Sequence, residues 1–122
     1  MSGITPDEVS QGIEDAKDLY HRLVLAVAPS GANKTGGLKQ VASQHSYPYL
    51  NINLELSRRM LDFAPRQRAL RVGNVLGEIV DSAGTDTPVL LDNIEILFDR
   101  SLEQDPLRLL KEVSRRRPVV AA

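Results

Sequence analysis

The sequence predicts an α/β fold in which a parallel sheet of about four strands is covered by helices on both faces. Short apolar runs alternate along the chain with segments in which apolar residues recur at helical spacing. The run at residues 88–92 is apolar without interruption until its final acid, as is typical of a strand buried on both faces. Because crossovers between parallel strands are right-handed, the connecting helices are expected on both faces of the sheet.

The composition indicates one soluble domain. The chain has 122 residues, with an N-terminal helix expected within residues 1–21 and a core over residues 22–122. Its net charge of −1 provides no general attraction to nucleic acid or to a membrane. The absence of cysteine excludes disulfides and thiolate metal sites. A polar N-terminus and the lack of a long apolar run predict a cytoplasmic protein without a signal peptide or membrane span.

The first helix is expected to begin at Pro6, because Thr5 and Glu8 have the spacing of a capping box. Helical spacing places four residues on one face of this helix: Val9, Ile13, Ala16 and Tyr20. A strand over residues 23–27 should follow. In the next helix, four residues are expected to form the stripe that faces the core: Leu38, Val41, Ala42 and His45.

The middle of the chain predicts a strand within residues 47–53 and a short helix over residues 54–61 that Asn53 would cap. Pro65 ends that helix. The clearest amphipathic stripe of the chain comes next and consists of Val72, Val75, Leu76, Ile79 and Val80. Turn residues at 83–87 then separate this helix from the strand at 88–92.

The end of the chain predicts one more helix and one more strand. Asp105 and Pro106 form a helix start, and the residues expected to face inward are Leu107, Leu110 and Val113. Residues 118–122 are expected to form the fourth strand.

The segment Ala-Pro-Ser-Gly-Ala-Asn-Lys-Thr at residues 28–35 has the character of a phosphate-binding loop. It lies between the first strand and the second helix, where backbone N–H groups and the helix N-terminus favour an anion. Ala28, Lys34 and Thr35 fit the usual pattern, whereas Asn33 stands where glycine is usual. Asn is among the residues that tolerate a left-handed backbone best. The alternative interpretation is an ordinary connection between a strand and a helix.

A second feature agrees with the first. The strand at residues 88–92 ends in Asp92, and in P-loop proteins a strand-terminal Asp beside the phosphate loop holds the magnesium shell. Ligands in such sheets bind at the carboxyl ends of the strands, where both features lie. The alternative is that Asp92 and Asn93 are ordinary turn residues.

Three segments of the sequence carry a family resemblance. They are the loop at residues 28–35, Tyr-Leu-Asn-Ile-Asn-Leu-Glu-Leu-Ser-Arg-Arg at 49–59, and Leu-Leu-Asp-Asn-Ile-Glu-Ile-Leu-Phe at 90–98. Together with Gln-Asp-Pro-Leu-Arg-Leu-Leu at 104–110, they resemble BrxF, the small P-loop proteins of BREX (bacteriophage exclusion) systems.

The resemblance implies a three-layer P-loop NTPase core of the AAA-like type. It also implies a homo-oligomer that works with larger BREX proteins in phage defence. In AAA-like folds a fifth strand follows the fourth, so this strand is expected to be missing from a chain that stops at Ala122. The first strand should then lie at an edge of the sheet with unpaired backbone groups.

The expected ligands are ATP and Mg²⁺. The residues predicted to bind the phosphates are Ser30, Gly31, Ala32, Asn33, Lys34 and Thr35. Thr35 and Asp92 are predicted to hold the metal. Many P-loop ATPases place a water-activating Glu after the magnesium Asp, but Asn93 stands here and cannot act as a base. Glu95 is the candidate substitute, so hydrolysis is expected to be slow or to depend on a partner.

Arginines that complete a neighbour's site are common in such assemblies. The candidates here are Arg58, Arg59, Arg115, Arg116 and Arg117. His21 and His45 lack metal-ligand spacing, and His45 is expected to pack in the core. Two other functions remain open at this point. One is an interaction module with a degenerate phosphate loop, and the other is a nucleic-acid accessory factor that uses residues 115–117.

Overall fold

The computed structural model describes residues 6–26, 34–84, 87–115 and 117–122. In these ranges the chain forms five α-helices and four strands, with two 3₁₀ helices between β3 and α5. In chain order they are α1 (Pro6–Ala16), β1 (Leu23–Leu25), α2 (Lys34–His45), β2 (Tyr49–Asn51), α3 (Ile52–Met60), α4 (Pro65–Asp81), β3 (Val89–Asp92), the 3₁₀ helices Ile94–Phe98 and Arg100–Leu102, α5 (Pro106–Val113) and β4 (Val119–Ala121).

The four strands form one sheet in the order β1-β4-β3-β2, and every pairing is parallel. β3 therefore lies inside the sheet, and in register Asn51 pairs with Asp92. β1 lies at an edge, as expected. The predicted α/β class, with about four parallel strands and helices on both faces, is confirmed.

Each face of the sheet has its own apolar core. On one face α1 and α2 cover the sheet, with a core of Val9, Ile13, Leu38, Val41, Leu90, Val120 and Ala122. The other face packs against α3, α4 and α5. There the predicted stripe of α4 is confirmed, since its members Val72, Val75, Leu76, Ile79 and Val80 are all buried. Because side chains alternate between faces, Leu90 and Asp92 point to the α1–α2 side.

The start of α3 corrects one prediction. Asn51, and not Asn53, caps this helix: its Oδ1 accepts a hydrogen bond of 3.1 Å from the backbone N–H of Leu54. The helix begins two residues earlier than expected, because β2 ends at Asn51 and the chain turns into the helix without a loop.

The orientation of α5 corrects another prediction. Asp105 caps the helix by accepting hydrogen bonds from the backbone N–H groups of Leu107 and Arg108. With the helix fixed in this way, Leu109 and Leu110 are buried, whereas Leu107 is 43% exposed. Leu107 was expected to face inward, and the structure shows that this is wrong.

Two aromatic side chains depart from the predictions: Tyr20 was expected to continue the helical stripe of α1 and His45 to pack in the core, but both lie at the surface. Tyr20 follows the end of α1 and is 66% exposed, because the helix ends at Ala16 before its next turn. His45 is the exposed last residue of α2. Its ring stacks on Tyr47 with 5.1 Å between ring centroids, and its Nε2 lies 3.2 Å from the Ser10 hydroxyl.

Candidate functional site

The two sequence features that suggested a phosphate site meet at the carboxyl edge of the sheet. Asp92 is the last residue of β3, and Lys34 and Thr35 are the first two residues of α2. Ala28 and the predicted phosphate-binding residues Ser30, Gly31, Ala32 and Asn33 lie outside the described residues.

Asp92 joins three segments of the chain. Its Oδ2 accepts a hydrogen bond from the Thr35 hydroxyl and another from the Tyr49 hydroxyl, each of 2.6 Å. Its Oδ1 accepts the backbone N–H of Asn93 at 2.8 Å. The carboxyl group therefore connects the start of α2, the start of β2 and the end of β3.

The environment of Asp92 is unusual for an acid. The residue is 0% exposed, and a carboxylate removed from water is costly unless hydrogen bonds or opposite charges compensate it. Within the described part of the chain, the donors that Asp92 meets are two hydroxyls and one amide, all of them neutral. A buried anion held by neutral donors attracts a cation.

Lys34, the residue before Thr35, pairs with a different acid. Lys34 Nζ lies 2.6 Å from Glu95 Oε1, and the two side chains are 30% and 65% exposed, respectively. The hydrogen bond from Lys34 lowers the pKa of Glu95 below its usual value of 4.5, against the opposing effects of desolvation and the nearby Asp92. Glu95 is therefore a charged partner of Lys34 at neutral pH.

Tyr49 is a site residue that sequence analysis did not identify. Burial, followed by the hydrogen bond to Asp92, raises the pKa of its phenol to about 12, so the hydroxyl remains a donor under ordinary conditions. In the sheet Tyr49 pairs with Leu90, two residues before Asp92 and on the same face. The contact between Tyr49 and Asp92 could be predicted only from the strand order. It forms because β2 lies next to β3, so that the Tyr49 side chain reaches the acid at the end of β3.

Asn93 directly follows Asp92, at the position where the P-loop interpretation would expect a water-activating Glu. Its backbone is left-handed, with φ 56° and ψ 48°, which Asn tolerates better than most residues. This turn directs the chain away from β3 into the 3₁₀ helix Ile94–Phe98, from which Glu95 reaches Lys34. In this structure Asn93 thus contributes a backbone turn and an amide donor to Asp92.

The side chains of Thr35 and Asp92 present oxygen atoms of the kind that a hard cation such as Mg²⁺ prefers. Mg²⁺ is usually held by one or two protein oxygens, with waters and substrate phosphates completing its shell. Thr35 and Asp92 provide a hydroxyl and a carboxylate side by side. Among the described residues there is no group of three or more His, Cys, Asp or Glu able to hold a metal alone. Thr35 and Asp92 would therefore need further ligands to hold such an ion.

The arginines proposed to act on a neighbouring subunit have partners of their own. Arg58 and Arg59 lie 4.0 Å from Glu55 and Glu78, respectively. Arg115 pairs with Glu112 at 3.6 Å. Arg117 is 3% exposed, and its guanidinium lies 3.4 Å from the backbone oxygen of Val80. Arg116 lies outside the described residues.

The histidines provide no described metal site. His21 Nδ1 lies 3.0 Å from the backbone oxygen of Lys111, and His45 is near Ser10.

Comparison with known proteins identified no matching family model, no matching curated protein and no matching solved structure. None of the helices in the described ranges is both long and apolar enough to cross a bilayer. The candidate site is thus defined by its own residues.

Proposed function

We propose that this chain is a P-loop protein that binds ATP with Mg²⁺ and hydrolyses it slowly or only with a partner. By its resemblance to BrxF, we place it in a BREX phage-defence complex, as a homo-oligomer that works with other BREX proteins. The AAA-like type of P-loop core belongs to the same proposal. The strand order β1-β4-β3-β2, with β1 at an edge, is compatible with it.

The observation that supports nucleotide binding best is the 2.6 Å hydrogen bond between Thr35 and Asp92. These residues lie 57 positions apart in the sequence, and each belongs to a separate motif that suggested a phosphate site. The carboxyl edge of a parallel sheet brings the two segments near one another, but it does not by itself require a direct hydrogen bond between these two side chains. In a P-loop site they must meet, because both bind the same metal shell.

Each residue then has a definite task. The Lys34 ammonium would contact the outer phosphates, and α2 would direct the positive end of its dipole at them. Thr35 and Asp92 would hold Mg²⁺, which neutralises phosphate charge when bound. Tyr49 would keep the Asp92 carboxyl oriented toward α2 by its hydrogen bond of 2.6 Å.

The surroundings of the metal residues favour slow hydrolysis. The side chain of Asn93 cannot accept a proton as a base, and the contact of this residue with Asp92 is a hydrogen bond from its backbone N–H. Glu95 is bound to Lys34, and the lowered pKa of its carboxyl makes it a weaker base for activating water. A base supplied by a partner, or a rearrangement of Glu95, would raise the rate.

One observation favours the alternative of an interaction module. β1 pairs with β4 on one side only within the described sheet, and Leu25 on this edge strand is 50% exposed. Such an edge can pair with another chain. The nucleic-acid alternative is weaker, since of the two described arginines of that cluster Arg117 is buried and Arg115 is paired with Glu112.

Thermal unfolding with and without Mg·ATP tests the proposal. A ligand at 100 times its dissociation constant adds roughly 2.7 kcal/mol to the free energy of unfolding. We expect this stabilisation in the natural chain and its loss in Lys34→Ala. Lys111→Ala is the matched control: Lys111 is an exposed lysine near the end of α5, the helix that leads to the amino end of β4.

Retained stabilisation in Lys34→Ala would contradict a phosphate role for this lysine. Absence of any stabilisation in the natural chain, together with tight partner binding that ignores ATP, would favour the interaction module. Calorimetric titration with Mg·ATP, read beside the mass of the protein in solution, gives the stoichiometry and the oligomeric state.

A further inference from the structure

We propose that Glu95 is an internal competitor for Lys34, which a triphosphate must displace in order to bind. This inference rests on the proposed function and concerns its regulation. The carboxylate of Glu95 lies 2.6 Å from the Lys34 ammonium, which would bind the phosphates. The phosphate loop motif and the chain after β3 thus meet in one ion pair.

The position of Glu95 is fixed by the fold around it. Asn93 turns the chain, and the 3₁₀ helix that follows is anchored because Leu97 is fully buried while Ile94 and Ile96 pack against the same core. Glu95 points outward from this anchored segment and is 65% exposed. Since the backbone is held, the carboxylate returns to the neighbourhood of Lys34 whenever the site is free.

The charges around Lys34 explain why its pairing with Glu95 would oppose the binding of a polyanion. Glu95 interacts electrostatically with both the Lys34 ammonium and the Asp92 carboxyl group, so two acids and one cation lie close together here. The proximity of Asp92 opposes ionisation of Glu95, and the hydrogen bond from Lys34 overcomes this effect. A triphosphate that takes Lys34 removes that compensation and leaves Glu95 repelled by both Asp92 and the ligand.

Glu95 has room to leave. It also lines an open groove of about 630 Å³ on the side of α3, together with Asn53, Ser57 and Phe98. A change of side-chain rotamer into this groove would release Lys34 without moving the backbone. Removing the charge of Glu95 should therefore favour polyphosphate binding, and the gain should be largest without Mg²⁺, when no cation offsets the repulsion.

The test is calorimetric titration of the natural chain and Glu95→Gln with ATP and with inorganic tripolyphosphate, each with and without Mg²⁺. An exposed ion pair contributes little, so we expect Glu95→Gln to bind about two- to fivefold more tightly. We also expect a smaller dependence on Mg²⁺. Glu112→Gln is the control, because Glu112 is also an exposed Glu paired with a cation, Arg115.

The outcomes separate this inference from the proposed function. If the natural chain binds Mg·ATP and Glu95→Gln binds equally or more weakly, the competitor role is wrong and nucleotide binding stands. If neither protein binds any of the ligands, both proposals are wrong. If the affinity is unchanged and a separate assay of phosphate release shows that Glu95→Gln has lost turnover, Glu95 acts as the base instead. The reactivity of the Lys34 amine, measured by mass spectrometry after acetylation, should also rise in Glu95→Gln without any ligand.

Discussion

The Tyr49 hydroxyl donates a 2.6 Å hydrogen bond to the same Asp92 oxygen that the Thr35 hydroxyl contacts. This contact links β2 to the terminal acid of β3 through side chains, in addition to the backbone pairing of the two strands. It makes Tyr49 part of the support for a fully buried carboxylate.

We expect Tyr49→Phe to lower the free energy of unfolding by about 1.5–3 kcal/mol, the usual contribution of a hydrogen bond to a charged group. The reason is that Asp92 would lose one of its described donors while remaining buried. Urea denaturation measures the change. Tyr20→Phe is the control, because Tyr20 is 66% exposed, and an equal loss in both variants would contradict the role of Tyr49.

The raised pKa of Tyr49 predicts a specific dependence of stability on pH. The folded phenol has a pKa of about 12 against an ordinary value of 10.0, so the unfolded chain loses this proton first as the pH rises. The stabilisation is therefore complete below about pH 10 and declines between about pH 10 and 12. The difference in unfolding free energy between the natural chain and Tyr49→Phe should shrink in this window. A difference that stays constant or grows would contradict the assignment.

The left-handed backbone of Asn93 predicts that glycine is tolerated there better than alanine. Both substitutions remove the same side chain and keep the N–H that binds Asp92. Alanine, however, pays the steric cost of a Cβ in this conformation, roughly 1–2 kcal/mol. We expect Asn93→Ala to be less stable than Asn93→Gly by about this amount in chemical denaturation. Equal stabilities would show that the turn at Asn93 is not maintained in solution.

The main elements of the fold could be predicted because their signals are local. The stripe from Val72 to Val80 fixes the buried face of α4, and the apolar run at 88–92 fixes a central strand. The cap of α3 could not be placed, since Asn51 and Asn53 are equally good capping residues. Only the pairing of Asn51 with Asp92 determines that β2 ends there.

The candidate site was predictable in part for a similar reason. Thr35 and Asp92 belong to recognisable motifs, and the carboxyl edge of a parallel sheet brings such residues together. Tyr49 carries no motif, and its contact depends on β2 lying next to β3. The pairing of Lys34 with Glu95 depends on the turn at Asn93, which the sequence alone does not reveal.

The burial of Asp92 has a practical consequence for anyone who studies this protein by mutation. One carboxyl group anchors three chain segments and, in the function proposed above, would also bind the metal, so a substitution there would affect architecture and chemistry together. Loss of activity in an Asp92 variant would therefore not distinguish a destabilised fold from a lost metal ligand. Lys34, which is partly exposed and bound to a surface acid, is the residue at which chemistry can be changed while the architecture survives.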